Sequence, residues 1–211
     1  FRFTLFDERV HVLLEPGKLF GNGRVERNHG AGTVCLRAYG AELIAHLSQS
    51  MRFVLDLSVR EFLKLHCQCR NHPEISPDDV LTMANQITPE PVLPEESLNL
   101  LSGGQTRALM IADLACICDS PIVLIDEIEN AGIDKKAALR LLTDQSKLVL
   151  IVTHDPHTAL MASTRLAMKG GEVCRIRKRT EAEKTLYAEL DAAYECQKHL
   201  QELLRQGEEL L

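Results

Sequence analysis

At 211 residues the chain is long enough for one domain of ordinary size, or one domain with an appendage. Apolar residues make up 45%, enough for a sizeable core, while 4% aromatic residues and no Trp argue against stacking platforms for single-stranded nucleic acid. With 24 Lys and Arg against 30 Asp and Glu the net charge is −6, so there is no overall pull on nucleic acid and none is favoured as a partner.

The seven cysteines are odd in number and scattered through apparent helix and strand interiors, which fits reduced thiols in a cytosolic protein. No run is apolar for long enough to span a membrane. The opening FRFTLFDERV carries acids and no small-residue cleavage site, so it does not read as a signal peptide.

In chain order, Phe1 to Leu14 alternates apolar and polar residues and predicts a strand-turn-strand. Glu15-Pro16-Gly17-Lys18 predicts a turn, and the Gly- and Asn-rich stretch from Gly21 to Gly32 a loop. Leu43 to Leu47 is a short apolar run ending at Ser48-Gln49-Ser50. From Ser58 to about Gln86 the period becomes helical. Ser58 with Glu61 predicts a capping box, and Ser76-Pro77 opens a second helix with Pro in its first turn. Ile87 to Pro94 carries three prolines and predicts an extended connector.

A third helix is expected from Ser102 to about Cys118. Ile122–Ile125 reads as a strand buried on both faces, Lys135–Gln145 as a helix, and Leu148–Val152 as a second buried strand. A short helix over Pro156–Ser163 precedes a hairpin, Arg165–Met168 and Glu172–Ile176, around Gly170-Gly171. Helices alternating with doubly buried strands imply an α/β fold with a mostly parallel sheet. From Thr180 to Leu211 one long helix is expected. Leu186, Leu190, Ala193, Gln197, Leu200 and Leu204 form a heptad seam of about three repeats, which either packs back on the domain or meets another chain. From Arg175 onward there are seven Lys and Arg and eight Asp and Glu, so the tail is close to neutral.

The chemistry gathers at three places. The strand Ile122–Ile125 ends in Asp126-Glu127, where a parallel strand delivers side chains into the crevice that binds ligands in α/β folds. The first acid can hold Mg²⁺ and the second can polarise an attacking water; the bland alternative is an acidic cap. The strand Leu148–Val152 ends in Thr153-His154-Asp155, and His154 can reach a terminal phosphate or the attacking water. Ser102-Gly103-Gly104-Gln105 opens a helix, where glycines allow close approach and free N–H groups favour an anion; the bland alternative is an ordinary capped turn. His66-Cys67-Gln68-Cys69 and His72 do not read as a metal site, because helix neighbours cannot converge on one ion.

These residues closely resemble the ATP-binding cassette (ABC) ATPases. Leu101-Ser102-Gly103-Gly104-Gln105 is identical to the family's signature. Ile122–Glu127 resembles its Walker B strand, which makes Asp126 the magnesium-side acid and Glu127 the catalytic base. Ala131-Gly132-Ile133-Asp134 resembles the D-loop, His154 matches the switch histidine, and Gln49 fits the Q-loop glutamine that senses Mg²⁺ and the γ-phosphate. The likeness covers roughly residues 1 to 176. It implies an ABC ATPase-like domain over 1–176, with a helical subdomain at about 52–118, and a separate helical extension over 177–211. It also implies a P-loop NTPase-like core with N-terminal antiparallel strands, and ATP with Mg²⁺ as cofactors. Two domains would meet head to tail, as a homodimer or with another ABC domain, each signature gripping the γ-phosphate held by the other. Asp134 and Ser102 to Gln105 would then touch nucleotide.

Three features depart from the family. No G-x-x-x-x-G-K-[ST] phosphate loop occurs anywhere; Gly17-Lys18 runs into Leu19-Phe20-Gly21-Asn22-Gly23, which resembles what normally follows that loop's helix. The simplest account is that about twenty residues or more are missing between about Lys18 and Leu19. Second, the usual Pro after the Walker B glutamate is Ile128, and Glu127–Asp134 is slightly longer than the common spacing. Third, the N-terminus offers only Phe1, Phe3 and Phe6 to stack on adenine.

Three functions follow as expectations. The domain energises a membrane transporter, docking a permease through the helical segment at about Arg52–Leu98. Alternatively it is a soluble ABC ATPase that switches a partner protein. If the phosphate loop is truly absent, it is a nucleotide-free interaction module. The expected location is cytoplasmic, or peripheral at the inner face of the membrane where a permease is the partner.

Overall fold

The computed structural model describes residues 11–15, as backbone, and 43–210. The N-terminal strand-turn up to Val10, the turn at Glu15–Lys18 beyond its first residue, the Gly-rich loop, the junction at Lys18-Leu19 and Phe1, Phe3 and Phe6 lie outside them. The described residues fall into two compact units, one of residue 15 with 43–151 and one of 11–14 with 152–210.

Strand β1 is His11–Glu15, of which residues 11–14 belong to the second unit; strand β2 is Ile44–Leu47, in the first. The helical part follows as α1 (Val59–Cys69), α2 (Pro77–Asn85) and α3 (Gly103–Cys116). Each begins at the serine expected from the sequence. Ser58 and Glu61 form the reciprocal capping box, and so do Ser102 and Gln105. Ser76 makes no side-chain cap, and α2 instead starts on Pro77, whose fixed φ suits a first helical turn. The helical stretch from Ser58 to Gln86 is two helices, the second opening at Ser76-Pro77 as the sequence predicts. Asn71, at φ 58°, adopts the left-handed conformation in the break, which Asn tolerates better than most residues.

These three helices enclose a common core of Val59, Leu63, Val80, Ala84, Leu109 and Ala112; Phe53 and Phe62 pack against it and meet each other edge to face, with ring centroids 4.9 Å apart. Two polar pairs lie near it. Asp113 of α3 meets His66 Nδ1 of α1 at 2.5 Å, and the Lys147 ammonium donates to the Cys118 carbonyl. Burial pushes the Cys116 thiol up to about 11, so it stays protonated and packs as an apolar group.

Strand β3 (Ile122–Asp126) pairs in parallel with β2, Ile44 opposite Ile122 and Leu47 opposite Ile125. Ile122, Val123 and Ile125 are buried, as a strand covered on both faces requires. A short 3₁₀ turn, Ile128–Ala131, leads through Gly132 at φ 65° to α4, Lys135–Asp144. Strand β4, Leu148–Thr153, lies next to β3 in the sheet.

The second unit holds an antiparallel group in the order β1-β5-β6, with β5 Thr164–Lys169 and β6 Glu172–Lys178. Gly170 and Gly171 turn that hairpin at φ 58° and 80°, a backbone only glycine adopts freely. Helix α5 is Pro156–Met161 and helix α6 is Glu181–Gln206. The fold is α/β, with parallel and antiparallel strands and a helical part, as the alternating pattern predicted.

Candidate functional site

The register of β2 and β3 brings two of the expected groups to one edge. Leu47 faces Ile125, so the strands release Ser48-Gln49 and Asp126 side by side. Gln49 lies in an exposed turn directly after β2, and Asp126, partly buried, closes β3. Both offer oxygen donors of the kind Mg²⁺ takes when phosphates complete its shell. Among the described residues no three or more His, Cys, Asp or Glu side chains gather as a metal site by themselves.

The sequence reading missed the group that ties this edge together. Arg107 sits two residues past Gln105 and is only 6% exposed. Its guanidinium donates to the Ser48 carbonyl and to the Asp126 carbonyl, one bond to each strand end. Burial lowers its pKa, opposed by the nearby Asp126 and Glu129 carboxylates. Its Nε finds no partner among the described residues. A rigid fork of donors suits this bridge, and a lysine would not span it. The available signal was an arginine within an otherwise apolar helix interior, Ala108 to Ala112, where an unpaired charge would be costly.

Glu127 takes φ 47° and ψ 65°, left-handed backbone that a residue with a Cβ rarely adopts. Conformations of this kind store roughly 1–3 kcal/mol and persist only where the surroundings over-determine them. Here the buried Ile128 follows directly and begins the 3₁₀ turn. A proline at 128 would have biased residue 127 toward extended backbone, so Ile128 and the bent path of Glu127 belong together.

Ser102 caps α3, its hydroxyl oxygen accepting from Gln105 N at 3.2 Å while the hydroxyl donates to Glu90 Oε2 at 2.7 Å. Gln105 returns the cap through Oε1 to Ser102 N at 2.9 Å, and its amide donates to the Pro91 carbonyl at 2.8 Å. The proline-rich connector thus lies against the signature turn. Gly103 is exposed, and a Cβ there would meet nothing within 4 Å. Among the described residues neither the backbone nor the packing demands glycine at that position.

Asp134 is the N-cap of α4, its Oδ1 accepting from Lys136 N and Ala137 N, both at 3.0 Å. Its own N–H donates to the Ile87 carbonyl at 2.8 Å, which ties the end of the 3₁₀ turn to the connector after α2. His154 follows β4 and is exposed in the second unit. Around it the backbone is held locally: Asp155 N donates to Thr153 Oγ1 at 3.0 Å, and Asp155 Oδ2 caps α5. His66 pairs with Asp113, and His72 with Glu74 and Asp119.

Beside β2 a shallow groove is lined by His46, Met51, Phe53, Met110 and Leu114. The segment after Gln49 leaves apolar side chains in the open, Val54 at 93% and Leu55 at 46% exposure. No helix among the described residues is long and apolar enough to cross a membrane.

Comparison with known proteins bears on the whole arrangement. No family model matches the chain. An uncharacterised ABC transporter ATP-binding protein of Methanocaldococcus jannaschii is 46% identical over 168 residues, 79% of this chain and 64% of that protein. The macrolide export ATP-binding/permease protein MacB of Escherichia coli (strain K12) is 36% identical over 81 residues, 36% of this chain and 12% of MacB. The chain therefore spans under two thirds of the length of these relatives. A solved ATP-binding subunit of an ABC transporter aligns with TM-score 0.53 at 17% identity, covering 68% of this chain and 62% of that one, which is a likeness of fold. In sequence, then, this chain is similar to ABC transporter ATP-binding proteins, in keeping with the signature, the acidic strand end and their order along the chain.

Proposed function

We propose that this domain binds ATP with Mg²⁺ and hydrolyses it as one half of a head-to-tail pair of ABC domains, energising a membrane permease. The observation that carries the reading is Gly103. Among the described residues nothing calls for a glycine there, and the open space in front of the α3 N-terminus suits a ligand that approaches the backbone closely. A γ-phosphate held by a second domain is the ligand whose charge fits that helix end.

In this reading Asp126 and Gln49 supply oxygens for Mg²⁺, which neutralises charge on the phosphates when bound. Glu127 takes the proton from the attacking water, and His154 donates to the γ-phosphate. Asp134 orders the D-loop through its cap on α4. Ser102, Gly103, Gly104 and Gln105 close the partner's half-site, and Ser102 exchanges its bond to Glu90 for one to phosphate. The β- and γ-phosphate cradle belongs to a segment between about Lys18 and Leu19 that the sequence lacks, and the intact mass of the natural protein reveals it directly.

Permease docking is favoured over a soluble switch by the open apolar strip around Val54 and Leu55, next to the Gln49 turn. The location is accordingly the inner face of the membrane. Co-purification of a membrane subunit supports this, and full turnover without one points to the soluble reading.

Glu127→Gln in the full chain tests the chemistry. We expect ATP-dependent dimers that persist on gel filtration and turnover lowered by at least about a hundredfold. Unchanged turnover removes Glu127 as the base, and failure of wild-type protein to bind ATP leaves the interaction-module reading.

A further inference from the structure

The C-terminal helix grips the segment that carries His154, and it does so through a residue outside the nucleotide motifs. His157 lies on α5, three residues after His154, and is 5% exposed. Its ring is stacked between Tyr187 and Tyr194 of α6, with centroids 5.4 and 4.8 Å away and interplanar angles of 6° and 21°. Nε2 donates to Asp191 Oδ1 at 3.0 Å, and Tyr187 donates to the same oxygen at 3.2 Å. The other ring nitrogen, Nδ1, is buried with no partner among the described residues. That cost is met by the two stacked faces and the bond to Asp191.

A second grip lies at the other end of α5. Arg179, at the base of α6, donates to the Leu160 carbonyl at 2.8 Å and sits 5.7 Å from the Tyr187 ring centroid. Arg165 of β5 pairs with Glu183, fixing the first turn of α6. Helix α5 has six residues, too few to be stable alone, so its position is set by what holds it. Its N-terminus is joined to His154 without slack. Asp155 N bonds Thr153, and Asp155 Oδ2 bonds both the N–H of Thr158, at 2.9 Å, and its hydroxyl, at 2.6 Å.

We propose that His157 is a positioning residue for His154 and that α6 is the arm that holds it, so that anything that shifts α6 retunes hydrolysis. The proposal rests on the reading of His154 as a γ-phosphate donor. It makes the tail a control element for turnover, acting through the ring sandwich and leaving nucleotide binding in the first unit unchanged.

The test uses the full chain with His157→Ala, Tyr194→Ala, Tyr194→Phe and His154→Ala, and each alanine variant combined with His154→Ala. Amide exchange of the peptide spanning Val152–Thr158 is followed beside that of α3. We expect His157→Ala and Tyr194→Ala to speed exchange at His154–Thr158 about tenfold and leave α3 unchanged, with Tyr194→Phe close to wild type. The kcat of both alanine variants falls about tenfold while KM stays within about twofold, and neither lowers kcat further once His154 is alanine. Unaltered exchange at His154–Thr158, equal loosening of α3, or an additive loss in the His154→Ala background overturns the proposal. If wild-type protein hydrolyses no ATP, the reading of the site fails, and the exchange data still decide whether α6 holds the His154 segment.

Discussion

Helices α3 and α6 start in the same way and end up in opposite surroundings. Each has a hydroxyl N-cap and a reciprocal capping box, Ser102 with Gln105 and Thr180 with Glu183. Yet nine of the fourteen residues of α3 are buried, and none of the twenty-six of α6 is. The cap sets where a helix begins, because it satisfies N–H groups that the helix cannot. Which faces go inside is decided by what lies around the helix. In α3 the core encloses nearly every face, including the charged Arg107. In α6 a stripe of Tyr187, Leu190, Asp191 and Tyr194 is partly covered, and α5 supplies the contacts to Tyr187, Asp191 and Tyr194.

The same substitution in both helices breaks this comparison most sharply. Arg107→Ala removes a buried cation that bonds two strand ends, and we expect a loss of about 2–4 kcal/mol in urea unfolding. Arg205→Ala removes a side chain 41% exposed, paired with Glu202 at 3.4 Å, and should leave stability within about 0.5 kcal/mol of wild type. Equal losses would mean that α6 is buried in solution by a contact of its distal half.

Removing the caps gives a smaller effect of the same kind. Ser102→Ala and Thr180→Ala each forfeit about 1 kcal/mol of helix stability. For α3 the loss enters the global unfolding midpoint, because that helix cannot open without the core. For α6 it emerges as faster amide exchange in the first turn with the midpoint unmoved. A fall in midpoint for Thr180→Ala equal to that for Ser102→Ala would make α6 part of the cooperative core.

The smallest difference is one of pH. The third residue of the α3 box is Gln105, which does not titrate, while that of α6 is Glu183. The Thr180 N–H, and then the bond from the Arg165 guanidinium, hold the Glu183 carboxyl below its ordinary value of 4.5. A folded pKa that lies below the unfolded one contributes stability that is complete above the unfolded value. That stability is lost as pH falls below 4.5 and through the folded value. Exchange at the start of α6 should therefore rise in that acid range while the Ser102 turn stays as it was. Parallel loosening of both turns would assign the effect to global acid unfolding.

Much of this was legible in the chain. The caps at Ser58 and Ser102, the strands Ile122–Asp126 and Leu148–Thr153, the glycine hairpin and the long final helix all follow from local patterns of periods two and 3.6. The break before α2 was legible as well, because Ser76-Pro77 opens a new helix, whereas the left-handed backbone of Asn71 within that break was not. The signature, the acidic strand end and their order carry the resemblance to the ABC ATPases, because those short motifs are specific in combination.

The amino-acid sequence by itself determined where the elements begin, which strands are buried and which family the chain resembles, because caps, turns and hydrophobic period act between near neighbours. The heptad seam from Leu186 to Leu204 was equally plain in it. Only the tertiary structure decided that α6 meets α5 through Tyr187, Asp191 and Tyr194, leaving Leu186 and Leu204 exposed. It alone decided that Arg107 joins Ser48 to Asp126, and that Glu127 bends into left-handed backbone. Those outcomes depend on which distant groups arrive at the same place, and no local pattern encodes the partner of a buried charge or of a stacked ring.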